Sequence, residues 1–298
     1  MEGDKQVKRL LATLFVLILG AQLGLAQNSQ SARSPEAGNA YNKGLDFARK
    51  GNFREALPQF QAAVKADPQF QEAYYMLGVT QKRLSSDNDA AVSFRKAIEI
   101  DSKFENAYIA LGNLQSDQQD FESAINTFNA VLAFNDQSAK AYFGVGNVYY
   151  ETKKYPQAID ALQKAVALDP SYDIAYNVLG ISLQQENRLN EAADAFAAGI
   201  KATNKNSRQG NYYFRLGNVY LKMKKFNEAE SAFQNALKFS KSQSIVGGAN
   251  FGLGEVYKNL GQKNQAIEYF RKAARNRDWK QAADYEIDML QNPEKYAY

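Results

Sequence analysis

Apolar residues along this chain follow a helical period, and short polar breaks separate one apolar stripe from the next. One stripe consists of Ala141, Tyr142, Val145 and Tyr149, spaced as on one face of a helix. Residues 152–154 are polar, and Pro156 then suits the first turn of a second helix. The second stripe contains Ala158, Leu162, Ala165 and Val166 and ends before Asp169 and Pro170. The pattern predicts two helices joined by a tight turn.

This helix pair recurs along the chain in three registers. Glycines fall every 34 residues and then, for the last two, every 37: Gly44, Gly78, Gly112, Gly146, Gly180, Gly217 and Gly254. An alanine follows each glycine after twelve residues: Ala56, Ala90, Ala124, Ala158, Ala192, Ala229 and Ala266. A large residue follows four positions later: Phe60, Phe94, Phe128, Leu162, Phe196, Phe233 and Phe270. One hairpin cannot bury its own apolar face, so the units are expected to stack.

The repeated positions resemble those of the tetratricopeptide repeat (TPR) superfamily over residues 37–280. The small and aromatic positions of that family match Tyr74-Leu77-Gly78, Tyr108-Leu111-Gly112, Tyr142-Val145-Gly146 and Tyr176-Leu179-Gly180. The resemblance implies an all-α fold, a right-handed superhelical solenoid of seven TPR-type helix hairpins with a C-terminal capping helix. The glycine and alanine should let the two helices of a hairpin approach closely.

Several positions depart from the family pattern. The proline that ends a repeat is present only as Pro68 and Pro170, and Ser102, Asp136 and Asn204 replace it elsewhere. We therefore expect looser connections there. Gly199 replaces an alanine, and Gln81 and Gln115 replace large apolar residues. Each of these three replacements is expected to weaken packing by about 1 kcal/mol.

Both ends of the chain differ from the repeats. Lys5, Lys8 and Arg9 precede an apolar run over residues 10–19, and Gly24-Leu25-Ala26 places small residues where a signal peptidase cleaves. Residues 1–26 are thus predicted to be a signal peptide, with an uncleaved membrane anchor as the alternative. Residues 27–36 are predicted to be a flexible leader. After the repeats (37–280), residues 281–298 continue a capping helix that starts near Trp279. The Trp279 side chain is expected to cover the open end, with a platform for a ligand as the alternative.

Composition removes much chemistry. The chain has no histidine and no cysteine, which excludes Ser-His-Asp and Cys-His catalysis, the usual zinc sites and disulfides. No phosphate-binding loop and no recurrent pair of carboxylates is present. We expect no catalytic residue, no metal and no cofactor.

The resemblance directs attention to the first helix of each hairpin, which lines the concave groove in that family. The groove residues that we predict are Tyr41, Tyr75, Asn113, Phe143, Asn147, Asn177, Phe214, Asn218 and Phe251. Rigid aromatic rings and amides suit an extended peptide, because an amide pairs with both backbone N–H and C=O groups. The alternative is that the aromatic rings pack between neighbouring hairpins.

Charge is unevenly distributed. Residues 207–280 contain 14 Lys and Arg against 5 Asp and Glu, whereas residues 105–206 contain 7 against 12. A basic end can meet anionic lipid, an acidic protein or nucleic acid, and export disfavours nucleic acid. The alternative is that the charges belong to solvated helix faces of uneven composition.

These features together predict an exported, periplasmic or secreted, non-enzymatic scaffold that holds a partner protein or an extended peptide. A membrane-anchored assembly or secretion factor, whose basic repeats contact the bilayer, is the second hypothesis. A carboxylate-based enzyme is the third, and the absence of a paired-acid motif argues against it.

Overall fold

The computed structural model describes residues 34–296, and this part of the chain is helical throughout, without strands. Fifteen α-helices follow one another: α1 Pro35–Arg49, α2 Phe53–Ala66, α3 Gln71–Arg83, α4 Asp87–Ile100, α5 Glu105–Asp117, α6 Phe121–Phe134, α7 Ala139–Glu151, α8 Tyr155–Leu168, α9 Asp173–Gln185, α10 Leu189–Ala202, α11 Asn206–Lys222, α12 Phe226–Phe239, α13 Gln243–Asn259, α14 Lys263–Ala273 and α15 Arg277–Gln291. A short 3-10 helix, Pro293–Lys295, closes the described region. None of the described helices is long and apolar enough to cross a membrane.

The first fourteen helices form seven antiparallel hairpins, each made of a first and a second helix, and α15 follows the last hairpin. The chain divides into two compact units at Asp136 and Gln137. The first unit holds hairpins one to three, and the second unit holds hairpins four to seven and α15. Within each unit, neighbouring hairpins stack on one another. The predicted all-α array of seven hairpins with a C-terminal helix is therefore confirmed.

The repeated glycine makes room for the large residue sixteen positions later. A Cβ atom built on Gly180 would lie 2.5 Å from Cε1 of Phe196, and one on Gly112 would lie 2.7 Å from Cε1 of Phe128. At Gly146 the neighbour is Cγ of Leu162, at 2.7 Å. Each of these large side chains is completely buried or nearly so. The glycine and large-residue positions of the sequence pattern therefore mark one buried contact that recurs in every hairpin.

Short connections link the hairpins, and an aspartate organises several of them. The Asp67, Asp101 and Asp169 carboxylates each accept a hydrogen bond over 2.9 Å from the backbone N–H two residues later. Such a turn does not need the proline of the family pattern. The connection with Ser102 therefore has the same local hydrogen bond as those with Pro68 and Pro170, contrary to the expected loosening.

The three-residue insertions before the last two hairpins lengthen their first helices. The first helices α11 and α13 have 17 residues each, whereas those of hairpins two to five have 13. Each added turn carries a glycine at a close contact. A Cβ on Gly210 would lie 2.6 Å from Cβ of Ser240, and one on Gly247 would lie 2.8 Å from Cβ of Asn276. The insertions thus add a helical turn to the array instead of a loop.

Three departures that were expected to weaken packing turn out to be accommodated. The missing Cβ of Gly199 leaves space for the ring of Tyr212, whose Cε1 atom would lie 2.6 Å from a built Cβ. The Tyr212 hydroxyl donates a hydrogen bond to the backbone oxygen of Asp173. Gln81 and Gln115 accept hydrogen bonds from hydroxyl groups of the facing second helix. All three positions therefore have specific partners that the sequence pattern does not show, and the predicted loss of packing at each stays a prediction.

At the N-terminal end of the described region, Ser34 caps α1. Its Oγ atom accepts a hydrogen bond from the Ala37 N–H over 3.1 Å, and the helix begins at Pro35. The last three residues of the predicted flexible leader, 34–36, therefore belong to the start of this helix and its cap. The predicted signal peptide over residues 1–26 lies outside the described residues.

Candidate functional site

Tyr41 and Tyr75, two of the predicted groove residues, are buried in the first unit. Their exposed fractions are 3% and 4%. The ring of Tyr41 lies 4.7 Å from that of Phe70, and the ring of Tyr75 lies 5.6 Å from that of Phe104. Phe70 and Phe104 stand at the start of the next hairpin. Burial also raises the pKa of Tyr75. These two rings pack between hairpins and offer a ligand little surface.

The other three aromatic residues of the predicted set, Phe143, Phe214 and Phe251, are partly buried. Phe143 lies 5.0 Å from the ring of Tyr172, at the start of the next hairpin. Phe214 lies 6.2 Å from Phe233, and its Cε2 atom would be 2.8 Å from a Cβ on Gly248 in α13. Part of the surface of each ring is therefore buried between hairpins, as the packing alternative predicts, and the rest of its surface is accessible to solvent.

The four predicted asparagines differ from the aromatic residues in their surroundings. Asn113 is exposed, and Asn147 donates a hydrogen bond to Glu151 over 2.7 Å. Asn177 and Asn218 are partly buried, and their side-chain amides have no hydrogen-bond partner among the described residues. Each of these two amides therefore retains a donor and an acceptor for another molecule.

Arg215 lies beside Asn218 on the same helix and was missed from the sequence. Its side chain is partly buried and donates a hydrogen bond from Nε to Oδ1 of Asn211 over 2.9 Å. No ion pair joins it to a carboxylate anywhere in residues 34–296. Burial lowers the pKa of its guanidinium. A signal was present: five of the six other hairpins have an apolar or small residue at the position of Arg215, and the first hairpin has Asn42. The five are Met76, Ala110, Gly144, Val178 and Gly252.

An ion pair joins two first helices of the second unit, α9 and α11. Arg208 lies in the added turn of α11, and its Nη1 atom donates to both carboxylate oxygens of Asp173, at the start of α9, over 2.7 and 2.5 Å. Asp173 is 8% exposed. The pair therefore ties α11 to α9, the helices that carry Asn177, Arg215 and Asn218.

Trp279, at the C-terminal end, packs against the last hairpin. Its ring lies 5.0 Å from that of Phe251, and its Cζ2 atom would be 3.0 Å from a Cβ on Gly248. The indole N–H donates to the backbone oxygen of Ser244 over 3.3 Å. These contacts are those predicted for a side chain that covers the open end. In the described part of the chain, no group of three or more acidic residues is placed to hold a metal ion.

Family models described as "tetratricopeptide repeat" match residues 41–103, 109–173, 153–207, 210–242 and 248–277. These matches cover more than half of the sequence. The chain belongs to the tetratricopeptide repeat family. Its hairpins are TPR motifs, and the family generally mediates protein–protein interaction.

Solved TPR structures share the fold. A tetratricopeptide repeat protein from Parabacteroides merdae is 19% identical, with 87% of this chain and 100% of that chain covered and a TM-score of 0.57. PilF from Pseudomonas aeruginosa is also 19% identical, with 74% and 96% covered and a TM-score of 0.59. MamA from Desulfovibrio magneticus is 23% identical, with 57% and 97% covered and a TM-score of 0.50. No curated protein matches the chain.

Proposed function

We propose that this TPR protein is a non-enzymatic extracytoplasmic scaffold that holds an extended segment of a partner protein against the first helices of its second unit. The observation that carries this proposal is a set of polar groups on α9 and α11 with unused hydrogen-bonding capacity. Asn177, Arg215 and Asn218, here called the polar triad, keep hydrogen-bonding capacity that no other described residue uses.

The amides of the triad suit a polypeptide backbone. A side-chain amide offers a donor to a C=O group and an acceptor to an N–H group, which an extended segment presents in alternation. Partial burial strengthens such bonds, because less water competes for them. The exposed parts of Phe143 and Phe214 would flank the segment as apolar contacts.

Arg215 gives this face a preference for a partner segment that carries a carboxylate. A partly desolvated guanidinium without a carboxylate is unfavourable by itself, and desolvated charges are normally paired. A partner segment with an acidic side chain near the amide contacts would supply the missing carboxylate. We therefore expect acidic residues in the bound segment.

The extracytoplasmic location is supported by the sequence of residues 1–26, which has a basic start, a short apolar run and small residues before position 27. Mass spectrometry of protein expressed with this segment tests the point. We expect a mature chain beginning at or near Gln27. An intact Met1 in the membrane fraction would instead support the anchored alternative.

Site-specific crosslinking tests the binding face. A photoreactive residue is introduced at position 177 or 218 in the full chain, and position 163, an exposed glutamine on α8, serves as the matched control. We expect a discrete partner adduct from the first two positions and none from the control. Asn177→Ala combined with Asn218→Ala, or Arg215→Met alone, should abolish the adduct formed through a probe at position 147. Equal adducts from all positions would contradict the proposal.

A further inference from the structure

The cations of the last three hairpins are concentrated at one edge of the second unit. This edge consists of the ends of the second helices, the connections to the next first helix, and the starts of those first helices. It comprises residues 198–209, 236–246 and 270–281, which contain ten Lys and Arg and a single acidic residue, Asp278. We call it the connection edge.

Direct contacts hold the segments of this edge together. Asn276, before α15, donates a hydrogen bond to the backbone oxygen of Gln243 over 2.9 Å. Gly210 of α11 lies against Ser240 at the end of α12. The three segments therefore form a continuous border and not three separate patches.

Most of the cations at this edge lack a carboxylate. Arg208 is paired with Asp173 and Lys272 with Glu268. The other eight have no ion pair with any described residue, and all except the partly buried Lys205 are exposed: Lys201, Lys205, Lys238, Lys241, Arg271, Arg275, Arg277 and Lys280. Lys201, Lys238 and Arg275 are spaced by 37 residues, so the same position is cationic in three successive hairpins.

The opposite edge, formed by the turns inside the same hairpins, is nearly neutral. Residues 184–191, 221–230 and 255–265 contain six Lys and Arg and five Glu. Several of these charges are paired, as in Arg188 with Glu191 and Lys258 with Glu255. The length of α11 separates the two edges by about 25 Å, which is well beyond the distance over which salt screens exposed charges. The basic character therefore belongs to one edge and not to the hairpins as a whole.

We propose that the connection edge binds the anionic headgroups of a lipid bilayer. Its cations lie along a border of helix ends and loops, and none of the large exposed apolar residues, Val92, Leu260 and Tyr285, lies on it. A shaped acidic ligand would need a recess with directed hydrogen bonds, whereas a planar anionic surface needs only cations that reach it together. The edge is separate from the polar triad, so a peripheral membrane contact leaves that face open.

Vesicle cosedimentation of the full chain tests the inference. Vesicles of phosphatidylcholine alone are compared with vesicles in which about a third of the lipid is phosphatidylglycerol. The edge variant combines Lys241→Gln, Arg271→Gln and Arg275→Gln. The matched control combines Lys222→Gln, Lys225→Gln and Lys263→Gln, which removes the same charge from exposed residues of the opposite edge. Residues 1–26 are the same in the wild type and in both variants, so any insertion of this segment cancels when the proteins are compared on the same vesicles.

We expect the wild type and the control to prefer anionic vesicles and to lose that preference in high salt. The edge variant should lose at least tenfold in its partition to anionic vesicles, since each cation near such a surface contributes about fivefold. Equal losses in both variants would mean that only net charge matters and would overturn the assignment to this edge. Binding to polyglutamate but not to anionic vesicles, lost in the edge variant, would overturn the lipid assignment in favour of an acidic protein.

Discussion

The Ser93 hydroxyl donates a hydrogen bond to the side-chain oxygen of Gln81 over 2.6 Å, across the two helices of the second hairpin. Thr127 and Gln115 repeat the contact in the third hairpin at 2.7 Å. The equivalent positions of hairpins four to six combine a large residue with alanine: Tyr149 with Ala161, Leu183 with Ala195, and Tyr220 with Ala232. Hairpin one has Phe47 with Gln59 there, and hairpin seven has Tyr257 with Tyr269. Hairpins two to six therefore use two kinds of matched pair at this place, either two polar residues or one large and one small residue.

Replacing only one member of a polar pair should destabilise the hairpin. In Gln81→Leu, the Ser93 hydroxyl, 5% exposed, loses its acceptor, which costs about 1–3 kcal/mol. Adding Ser93→Ala recreates the leucine–alanine pair of the fifth hairpin and should recover most of that loss. Urea denaturation of the two single variants and the double variant measures the coupling. Additive effects would show that the two residues do not act as a pair.

The close contact at Gly180 gives a second prediction. Gly180→Ala places a Cβ against the ring of Phe196 and should cost about 2 kcal/mol. Gly38→Ala is the control, because a Cβ there meets no atom within 4 Å; it should stabilise α1 by up to about 1 kcal/mol. Gly146→Ala, opposite the more adaptable Leu162, should fall between them. Hydrogen exchange should locate the Gly180 effect in α9 and α10, and protection unchanged in those helices would contradict the repeat register.

The sequence was sufficient to predict the hairpins, since the contact of glycine with the large residue sixteen positions later recurs unchanged. It was insufficient where one residue compensates for another at a distance. Gly199 by itself suggests weaker helix packing, and only the position of Tyr212, thirteen residues later, explains it. Arg215 was missed for a related reason: the repeat register marks it as an unusual residue for its position, but its partial burial depends on how the helices pack.

Alanine substitutions at Phe214 and at Asn218 distinguish a packing role from a binding role of these side chains. Phe214→Ala removes contacts with Phe233 and with the backbone near Gly248, so we expect a loss of about 3 kcal/mol in the free energy of unfolding. Asn218→Ala should change stability by less than about 0.5 kcal/mol, because no described residue bonds to its side chain. Thermal melting measures both. A stable Phe214→Ala variant would instead assign this ring to the groove, where its loss should weaken binding by about 2 kcal/mol.

The C-terminal 3-10 helix should loosen in acid. Asp288 accepts hydrogen bonds from Tyr296, Asn292 and Lys295, and these hold its pKa below the ordinary value of about 3.9. A carboxylate with a depressed pKa stabilises the folded segment above the unfolded pKa, and this contribution is lost as the pH falls through the folded pKa. Hydrogen exchange of residues 292–296 between pH 5 and pH 3 should show the change. Asp288→Ala should loosen the segment already at pH 5 and remove the pH dependence.

Trp279 allows the capping role of α15 to be tested selectively, because it is the only tryptophan in the chain. Its contact with Phe251 covers the end of the last hairpin, and an uncovered apolar face promotes association. Deleting residues 279–298 should therefore produce dimers or aggregates in size-exclusion chromatography with light scattering. Trp279→Ala should lower the melting temperature, whereas Tyr285→Ala, which alters a side chain that is 52% exposed, should not. In the wild type, tryptophan fluorescence should change together with or before the loss of helical circular dichroism, since α15 packs at the end of the array on the last hairpin. A truncated chain that stays monomeric with unchanged melting would show that α15 is not a cap.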